Sequence, residues 1–180
     1  DLEIEIEIVI ETEIEIEAEI EIEIRIEIDI ELAIAIEIKI EIDIEIEISI
    51  EIEIESIKPH TVVTHHCGDV NIDHRIIHEA VVTACRPQPG HSVLLLLAFE
   101  VVSSTEWQPA GSNIVFQPNW FEDVSSTFNR KIIALEAYQS EMRDWPHPRS
   151  LKNIEYLARS RGSSIGCNFA EGFMLLRVIQ

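Results

Sequence analysis

The first 55 residues of this 180-residue chain contain no glycine, proline or asparagine, and all six glycines and seven prolines come later. Because these residues mark turns, nothing in the stretch tells the chain where to reverse direction. Basic residues are scarce there too: the stretch holds two of the chain's 13, against 22 of its 34 acidic residues. The net charge of −21 thus belongs almost entirely to this stretch. The rest of the sequence has no basic patch or stripe, so we expect no nucleic-acid partner.

Cysteines and long apolar runs are also few. Cys67, Cys85 and Cys167 are odd in number and widely spaced, a pattern typical of reduced thiols in a cytosolic protein rather than of a disulfide scaffold. We therefore expect a cytoplasmic protein. The apolar run Val93–Phe99 is far shorter than the roughly 20 residues of a transmembrane helix. The N-terminus lacks the basic and apolar regions of a signal peptide, so we expect neither a signal peptide nor a membrane span.

Residues 1–56 are a low-complexity repeat, in which isoleucine or leucine fills almost every even position and glutamate fills most odd positions. Strict alternation is the strand period, so we predict a β-prone, partly extended segment. An unbroken strand of this length would run about 180 Å, which a single domain cannot use. We expect the repeat to pack poorly on the remainder and to contribute no side chain to a site.

The repeat has three interpretations: a fibre-forming β module, a solvated acidic tail, or translation through a short tandem DNA repeat. We favour the third, because most replacements at odd positions lie one base from a glutamate codon. On this interpretation the repeat is not a native domain. It displaces or obscures the true start of the domain that occupies residues 57–180.

Residues 57–180 alternate between strand-like and helix-like patterns. The predicted strands cover 61–64, 92–102, 114–116 and 173–178, and the predicted helices cover 73–86, 127–143 and 150–162. The second strand is apolar almost throughout, which is typical of a strand buried on both faces of a parallel sheet. The alternation predicts an α/β layered fold.

The densest group of potential ligands occupies residues 65–74, between the first strand and the first helix. In open α/β sheets, sites form outside the carboxyl ends of the strands. His74 at the helix start, with Asp73 beside it, has what a metal ligand and its orienting partner need. A polar loop with a capping Asp73 explains the same residues. His78 shares a helix face with His74, but no glutamate follows His74 as in zinc proteases, and we expect His78 to face solvent.

This segment resembles the second signature of the PIG-L/LmbE N-deacetylases, through Thr64-His65-His66, Asp69, Asn71 and Asp73-His74-Arg75. The order of later segments is similar as well: Arg86-Pro87, Ser103-Ser104-Thr105-Glu106-Trp107, Pro118-Asn119, Lys131, Ala134-Leu135, Tyr138, Ser140-Glu141, Pro148-Arg149-Ser150, Arg161-Gly162 and Ala170-Glu171-Gly172-Phe173. The similarity spans essentially all of residues 57–180. It implies a Rossmann-like fold, present here in part, and hydrolysis of the acetyl group of N-acetylglucosamine conjugates or related amides.

The resemblance also implies a site. One zinc ion is held by a His and an Asp of an N-terminal His-Pro-Asp-Asp-Glu motif, and by the His that matches His74. Asp73 would orient His74, and Asn71, where many members have a His, could donate an amide hydrogen bond. Sugars need polar groups beside an aromatic face. The candidates for binding an amino-sugar conjugate, each of which also has a purely local structural explanation, are Glu106, Trp107, Asn119 and Arg149.

The N-terminal motif is missing, since no histidine precedes His60. Two zinc ligands and the general base are therefore absent, and we expect weak zinc binding or none. Two functions stay open. The family function is zinc-dependent N-deacetylation, in which this particular chain would be inactive. The alternative is a non-catalytic remnant, serving as a binding or assembly module with an acidic β-prone extension.

Overall fold

The computed structural model of the protein describes residues 32–35, 39, 41, 43–109, 111 and 114–180. The chain divides into two compact units, Asp1–Glu45 and Ile46–Gln180. The described residues of the first unit are helical, and most of the repeat lies outside the described residues. The division falls within the Glu-Ile repeat, whereas the sequence pattern places the start of the domain after residue 56.

Residues 43–57 at the end of the repeat are helical, and the part within the second unit, residues 46–57, is called α1. The prediction of a β-prone segment is wrong for these residues. Glutamate is a good helix former, and in a helix the alternation places Ile50 and Ile54 one turn apart on the same face. Ile54 is buried, and Ile50 packs beside it against residues that include Val81 and Leu96. The expectation of poor packing is therefore also wrong at this end of the repeat.

A four-stranded sheet forms the centre of the second unit. Its strands are β1 (Thr61–His65), β2 (Leu95–Phe99), β3 (Trp120–Asp123) and β4 (Ala170–Val178), in the spatial order β1-β2-β4-β3. β1 and β2 are parallel, whereas β4 is antiparallel to both β2 and β3. The predicted strand at 114–116 is not a strand. The strand in this part of the chain is β3, which forms where the backbone pairs with β4. The short apolar run at 114–116 gave no information about that pairing.

Three further helices complete the unit: α2 (Ile72–Ala84), α3 (Phe128–Glu136) and α4 (Leu151–Ile165). As predicted, Ser150 caps α4, and its hydroxyl accepts a hydrogen bond from the Asn153 amide at 3.1 Å. α3 ends at Glu136, short of the predicted residue 143, where turns replace the helix. The α/β class is confirmed.

Apolar clusters lie on both sides of the sheet. One joins α1 and α2 to β2 and contains Val81, Val93 and Leu96, and the other gathers Phe128, Ile154 and Ala158 from α3 and α4. α2 connects the parallel strands β1 and β2, so the carboxyl ends of these two strands lie side by side at one edge of the sheet. No helix in the described part of the chain is long and apolar enough to cross a membrane.

Candidate functional site

Asp69 ties together the two loops that leave the carboxyl ends of β1 and β2. Its carboxylate is fully buried. It accepts hydrogen bonds from the Asn71 amide at 2.9 Å, from the Thr105 hydroxyl at 3.0 Å and from the Ser104 hydroxyl. Burial acts to raise the pKa of Asp69, but the hydrogen bonds from Ser104 and Asn71, the nearby His74 imidazole and the Thr105 hydroxyl hold it below its usual value. Asp69 is therefore a buried anion with fixed geometry.

His74 lies beside this carboxylate. Its Nδ1 is 3.2 Å from Asp69 Oδ2, which is an ion-pair distance, although the ring is not aligned for a direct hydrogen bond. The His74 ring also stacks on His65, with centroids 4.2 Å apart. A carboxylate beside an imidazole sets the position of the ring and which nitrogen carries the proton. The structure thus places an oriented histidine where the carboxyl ends of β1 and β2 meet.

Asp73, the residue expected to orient His74, lies elsewhere. It is exposed in the first turn of α2, and its backbone amide donates to the Asn71 side chain at 2.9 Å. Asn71 is therefore the N-cap of α2, the role that the sequence pattern assigned to Asp73. The carboxylate beside His74 belongs to Asp69 instead. Asp69 is part of the signature that the sequence resembles. The fold of the loop between β1 and α2 is what places it beside His74.

His78 does not face solvent, so that expectation is wrong. It follows His74 by one helical turn, is buried, and places its Nδ1 2.6 Å from the carbonyl oxygen of His65. α2 packs against β1 along this face. Burial lowers the pKa of His65, and the neighbouring His74 lowers it further, while Asp69 opposes the shift. The cluster of His65, Asp69, His74 and His78 therefore has one carboxylate and favours neutral His65.

His66 points away from this cluster into a neighbouring cavity of about 420 Å³. It is buried, and its ring meets Phe116 edge to face, with centroids 5.4 Å apart. Burial lowers the pKa of His66, and the Ile114 carbonyl opposes the shift. A Cβ on Gly68 would lie 2.5 Å from the Ile114 oxygen and 2.7 Å from His66 Nε2. Only glycine fits at this wall of the cavity.

Two of the four predicted sugar-binding residues lie at or near this cavity. Glu106 lines it, and its carboxylate accepts hydrogen bonds from the backbone amides of Ser103 at 2.6 Å and Ser104 at 3.3 Å. Arg149 reaches the same loop, because its Nε donates to the Ser103 hydroxyl at 2.6 Å, and it pairs with Glu141 at 2.5 Å. Thr105, which sequence reasoning did not single out, both lines the cavity and contacts Asp69.

The other two residues have local structural contacts instead. Asn119 accepts a hydrogen bond from the Leu175 amide at 2.7 Å and donates its own backbone amide to Phe173, so it fastens the chain to β4. Trp107 is half exposed and packs edge to face on His147, with centroids 5.7 Å apart. Neither residue lines the cavity at His66.

The described residues supply one imidazole for a metal, not a complete set of ligands. A catalytic zinc needs about three protein ligands. His65 and His74 are stacked face to face, which does not converge their nitrogens on one point. The Asp69 oxygens already accept hydrogen bonds from Ser104 and Thr105. Within the described ranges, no three His, Cys, Asp or Glu side chains are arranged to hold a metal ion. His74 could thus serve as one zinc ligand, and the described residues do not complete the set.

Comparison with known proteins supports the fold alone. No family model matches the chain, and no curated protein matches it. Among solved structures, the chain is similar to GalB, the 4-carboxy-2-hydroxymuconate hydratase of Pseudomonas putida KT2440, with 18% identity, a TM-score of 0.57, and coverage of 76% of this chain and 60% of that one.

A second similar structure is the N,N'-diacetylchitobiose deacetylase of Pyrococcus horikoshii, complexed with its inhibitor MPG. Its identity is 14% and its TM-score 0.50, with coverage of 74% of this chain and 51% of that one. The chain therefore spans about half to three fifths of the length of these two proteins. It shares its α/β fold with a hydratase and with a deacetylase that acts on a sugar.

Proposed function

We propose that residues 57–180 are the C-terminal part of a hydrolase that removes the N-acetyl group of an amino-sugar conjugate, with zinc as its metal. The observation that carries the proposal is the pairing of His74 with the buried Asp69, 3.2 Å apart, at the carboxyl ends of two parallel strands. The order of the motifs and the fold shared with a chitobiose deacetylase support it.

Each residue of the site has a distinct part in this proposal. Asp69 holds the His74 ring in one orientation, and the hydroxyls of Ser104 and Thr105 keep Asp69 ionised and in place. The cavity beside His66 would hold part of the sugar, with Glu106 and Thr105 on its wall. Hydrogen-bonding groups on the wall of a concave site fix the orientation of a sugar.

Zinc, when bound in such an enzyme, polarises the acetyl carbonyl and activates water. In this proposal His74 is one of its ligands, and the other two ligands and the general base come from a segment equivalent to the family's N-terminal motif. This sequence does not contain that motif. The 180-residue chain is therefore expected to bind zinc weakly and to lack deacetylase activity.

The decisive experiment restores the missing part. A family-type N-terminal segment with the His-Pro-Asp-Asp-Glu motif is fused ahead of Ile57, and acetate release from N-acetylglucosamine conjugates is measured. We expect zinc-dependent turnover by the fusion and none by the original chain. His74→Ala should abolish turnover in the fusion, and Asp69→Asn should lower kcat because the imidazole loses its orienting charge. Activity of the original chain, or indifference of the fusion to His74→Ala, would contradict the proposal.

Zinc titration of the original chain tests whether its own residues complete a metal site. An isolated imidazole gives weak affinity that His74→Ala reduces further. Submicromolar affinity that disappears with His74→Ala would show that ligands from this chain complete the site. Hydration is the reaction of another protein of similar fold, the hydratase GalB. A fusion that hydrates an enol acid but releases no acetate would therefore indicate a hydratase rather than a deacetylase.

A further inference from the structure

The surface near the start of α4 carries two aromatic side chains that the candidate site does not use. The rings of Trp145 and Tyr156 meet edge to face, with centroids 5.6 Å apart and planes at 83°. Their exposed fractions are 50% and 48%. We call this pair the aromatic corner. It leaves flat apolar ring surface in contact with water, which is typical of a surface that binds something.

Lys152 places a cation at the aromatic corner. Its Nζ lies 5.2 Å from the centroid of Trp145 and 5.7 Å from that of Tyr156. The Arg143 guanidinium donates only to the carbonyls of Ser140 and Met142. Within the described part of the chain, no carboxylate lies at ion-pair distance from Lys152 or Arg143. Lys152 thus places a positive charge beside the rings, and neither Lys152 nor Arg143 is paired with a carboxylate among the described residues.

A concave region of about 560 Å³ lies beside the aromatic corner, and Arg143, Trp145 and Lys152 are among its lining residues, whereas Tyr156 is not. This volume is in the usual range for small-molecule sites, about 300–1,000 Å³. Gln139 and Asp144 also line it and offer an amide and a carboxylate to hydroxyl groups. The region shares no lining residue with the cavity at His66.

We propose that the aromatic corner, with Lys152 and Arg143, is a second small-molecule site that binds an anionic sugar. One face of a sugar ring is lined by C–H groups and packs on an aromatic face, while its hydroxyls reach polar groups at the rim. A phosphate or carboxylate on the sugar meets Arg143 and Lys152, whose donors suit such anions. The proposal is independent of the deacetylase proposal, because none of these residues contacts His74 or Asp69 in the described structure.

Titration of the full chain with four probes tests the requirement for both the ring and the charge. The probes are glucose 6-phosphate, glucuronate, glucose and inorganic phosphate, and the readout is the indole N–H signal of Trp145 in nuclear magnetic resonance spectra, assigned by substitution. We expect saturable shifts with the two anionic sugars. Glucose and inorganic phosphate should bind at least about tenfold more weakly, a difference of about 1.4 kcal/mol.

Two substitutions and one control locate the site. Trp145→Ala and Lys152→Gln should each weaken glucose 6-phosphate binding by about tenfold in calorimetry. Lys152→Gln should also reduce the dependence of binding on salt, because one screened charge is gone. Trp120→Ala is the matched control, since it removes a partly exposed tryptophan of β3 whose indole donates to Glu122 at 2.7 Å, outside the proposed site. It should leave the affinity unchanged.

Three outcomes would overturn the proposal. In the first, the Trp145 signal moves with none of the probes. In the second, glucose binds as tightly as glucose 6-phosphate, which removes the role of the charges. In the third, inorganic phosphate binds as tightly as glucose 6-phosphate and Trp145→Ala has no effect, which would show that the positive charges attract any anion without a role for the ring. Lys152→Gln alone is sufficient for the test if Trp145→Ala does not fold, because the Lys152 side chain is exposed.

Discussion

At the scale of single residues, Asp69 holds a position that its neighbours in sequence do not reveal. It is fully buried and accepts three hydrogen bonds, from loops that follow two different strands. A buried carboxylate is tolerated only when such donors replace water. Asp73, four residues later, has the same side chain in an exposed turn of α2. The pair therefore provides a matched comparison between a buried and an exposed carboxylate.

Asp69→Asn should destabilise the protein by about 1–3 kcal/mol, because at least one buried donor loses an anionic acceptor. Asp73→Asn should change stability by less than about 0.5 kcal/mol. Chemical denaturation at pH 7 measures both. Equal effects of the two substitutions would contradict the assignment of Asp69 as the structural carboxylate.

The acid limb of the stability curve gives a second test of Asp69. Its pKa in the folded protein is held below the unfolded value, which is about 3.9. The folded state therefore gains stability from this carboxylate above that pH and loses the gain as the pH falls through the folded pKa. The stability difference between the wild-type chain and Asp69→Asn should accordingly shrink below about pH 4. The titration of the glutamates in the repeat is common to both proteins and cancels.

His66 should make stability depend on pH in a higher range. Its folded pKa lies below the usual 6.5 because the ring is buried. The unfolded chain then binds more protons near and below that pH, so stability should be complete above it and fall as the pH drops towards 5. His66→Gln should reduce this slope in denaturation experiments between pH 8 and pH 5. Above pH 8 the difference between the two proteins should not vary with pH, and a slope unaffected by the substitution would refute the prediction.

At the scale of elements, α4 contains a glycine that packing requires. Gly162 lies inside the helix, where alanine is ordinarily more stable by about 1 kcal/mol. Here a Cβ would lie 2.7 Å from the carbonyl oxygen of Cys167 and 3.0 Å from the Asn168 carbonyl carbon. The chain after α4 folds back over Gly162 before it enters β4, so backbone, which cannot rotate away, occupies the space.

Gly162→Ala should therefore destabilise the protein by about 1–3 kcal/mol, the opposite of the helix-propensity effect. Thermal or chemical unfolding measures the change. Ser163→Ala, at the next and exposed position of α4, is the control and should stay within about 0.5 kcal/mol of the wild-type chain. A stabilising Gly162→Ala would show that the turn after α4 is not packed as described.

At the scale of the whole molecule, the boundary of the folded unit lies inside the repeat. Ile50 and Ile54 belong to the apolar cluster of the second unit, although their sequence is indistinguishable from the repeat before them. Arg86 also lies 3.5 Å from both Glu47 and Glu51. A low-complexity segment can pack this way, because burial of isoleucine is not directional.

Two truncations test this boundary. Removal of residues 1–45 should leave the unfolding midpoint of the second unit nearly unchanged. Removal of residues 1–56 also deletes Ile50 and Ile54. It should lower the free energy of unfolding by about 2–5 kcal/mol, because the apolar cluster that they cover becomes exposed. Equal stability of the two truncated chains would show that α1 adds nothing to the fold. A large loss on removing residues 1–45 would place essential structure in the first unit.

The sequence by itself determined the α/β class, the strands near 61–64 and 173–178, the Ser150 cap and the segment that holds His74. These depend on local signals: apolar periodicity, capping residues and the spacing of polar side chains, all of which act within a few residues along the chain. The same signals predict a site at 65–74, where the structure brings His65, Asp69 and His74 together. Substrate binding by Glu106 and Arg149, for which residue type was the main guide, stays a prediction, and in the structure both hold the loop after β2 through hydrogen bonds.

Tertiary structure alone decided the rest, because these features depend on contacts between distant segments. The pairing of Asp69 with loops after β2, the burial of His78 against β1 and the antiparallel direction of β4 have no local signature. In the repeat, a clear local pattern predicted the wrong secondary structure. Its two-residue period favours a strand, yet its described residues are helical, and over residues 46–57 one helix face places Ile50 and Ile54 against the apolar cluster beside the sheet. Packing against residues far along the chain can override the preference of a local pattern.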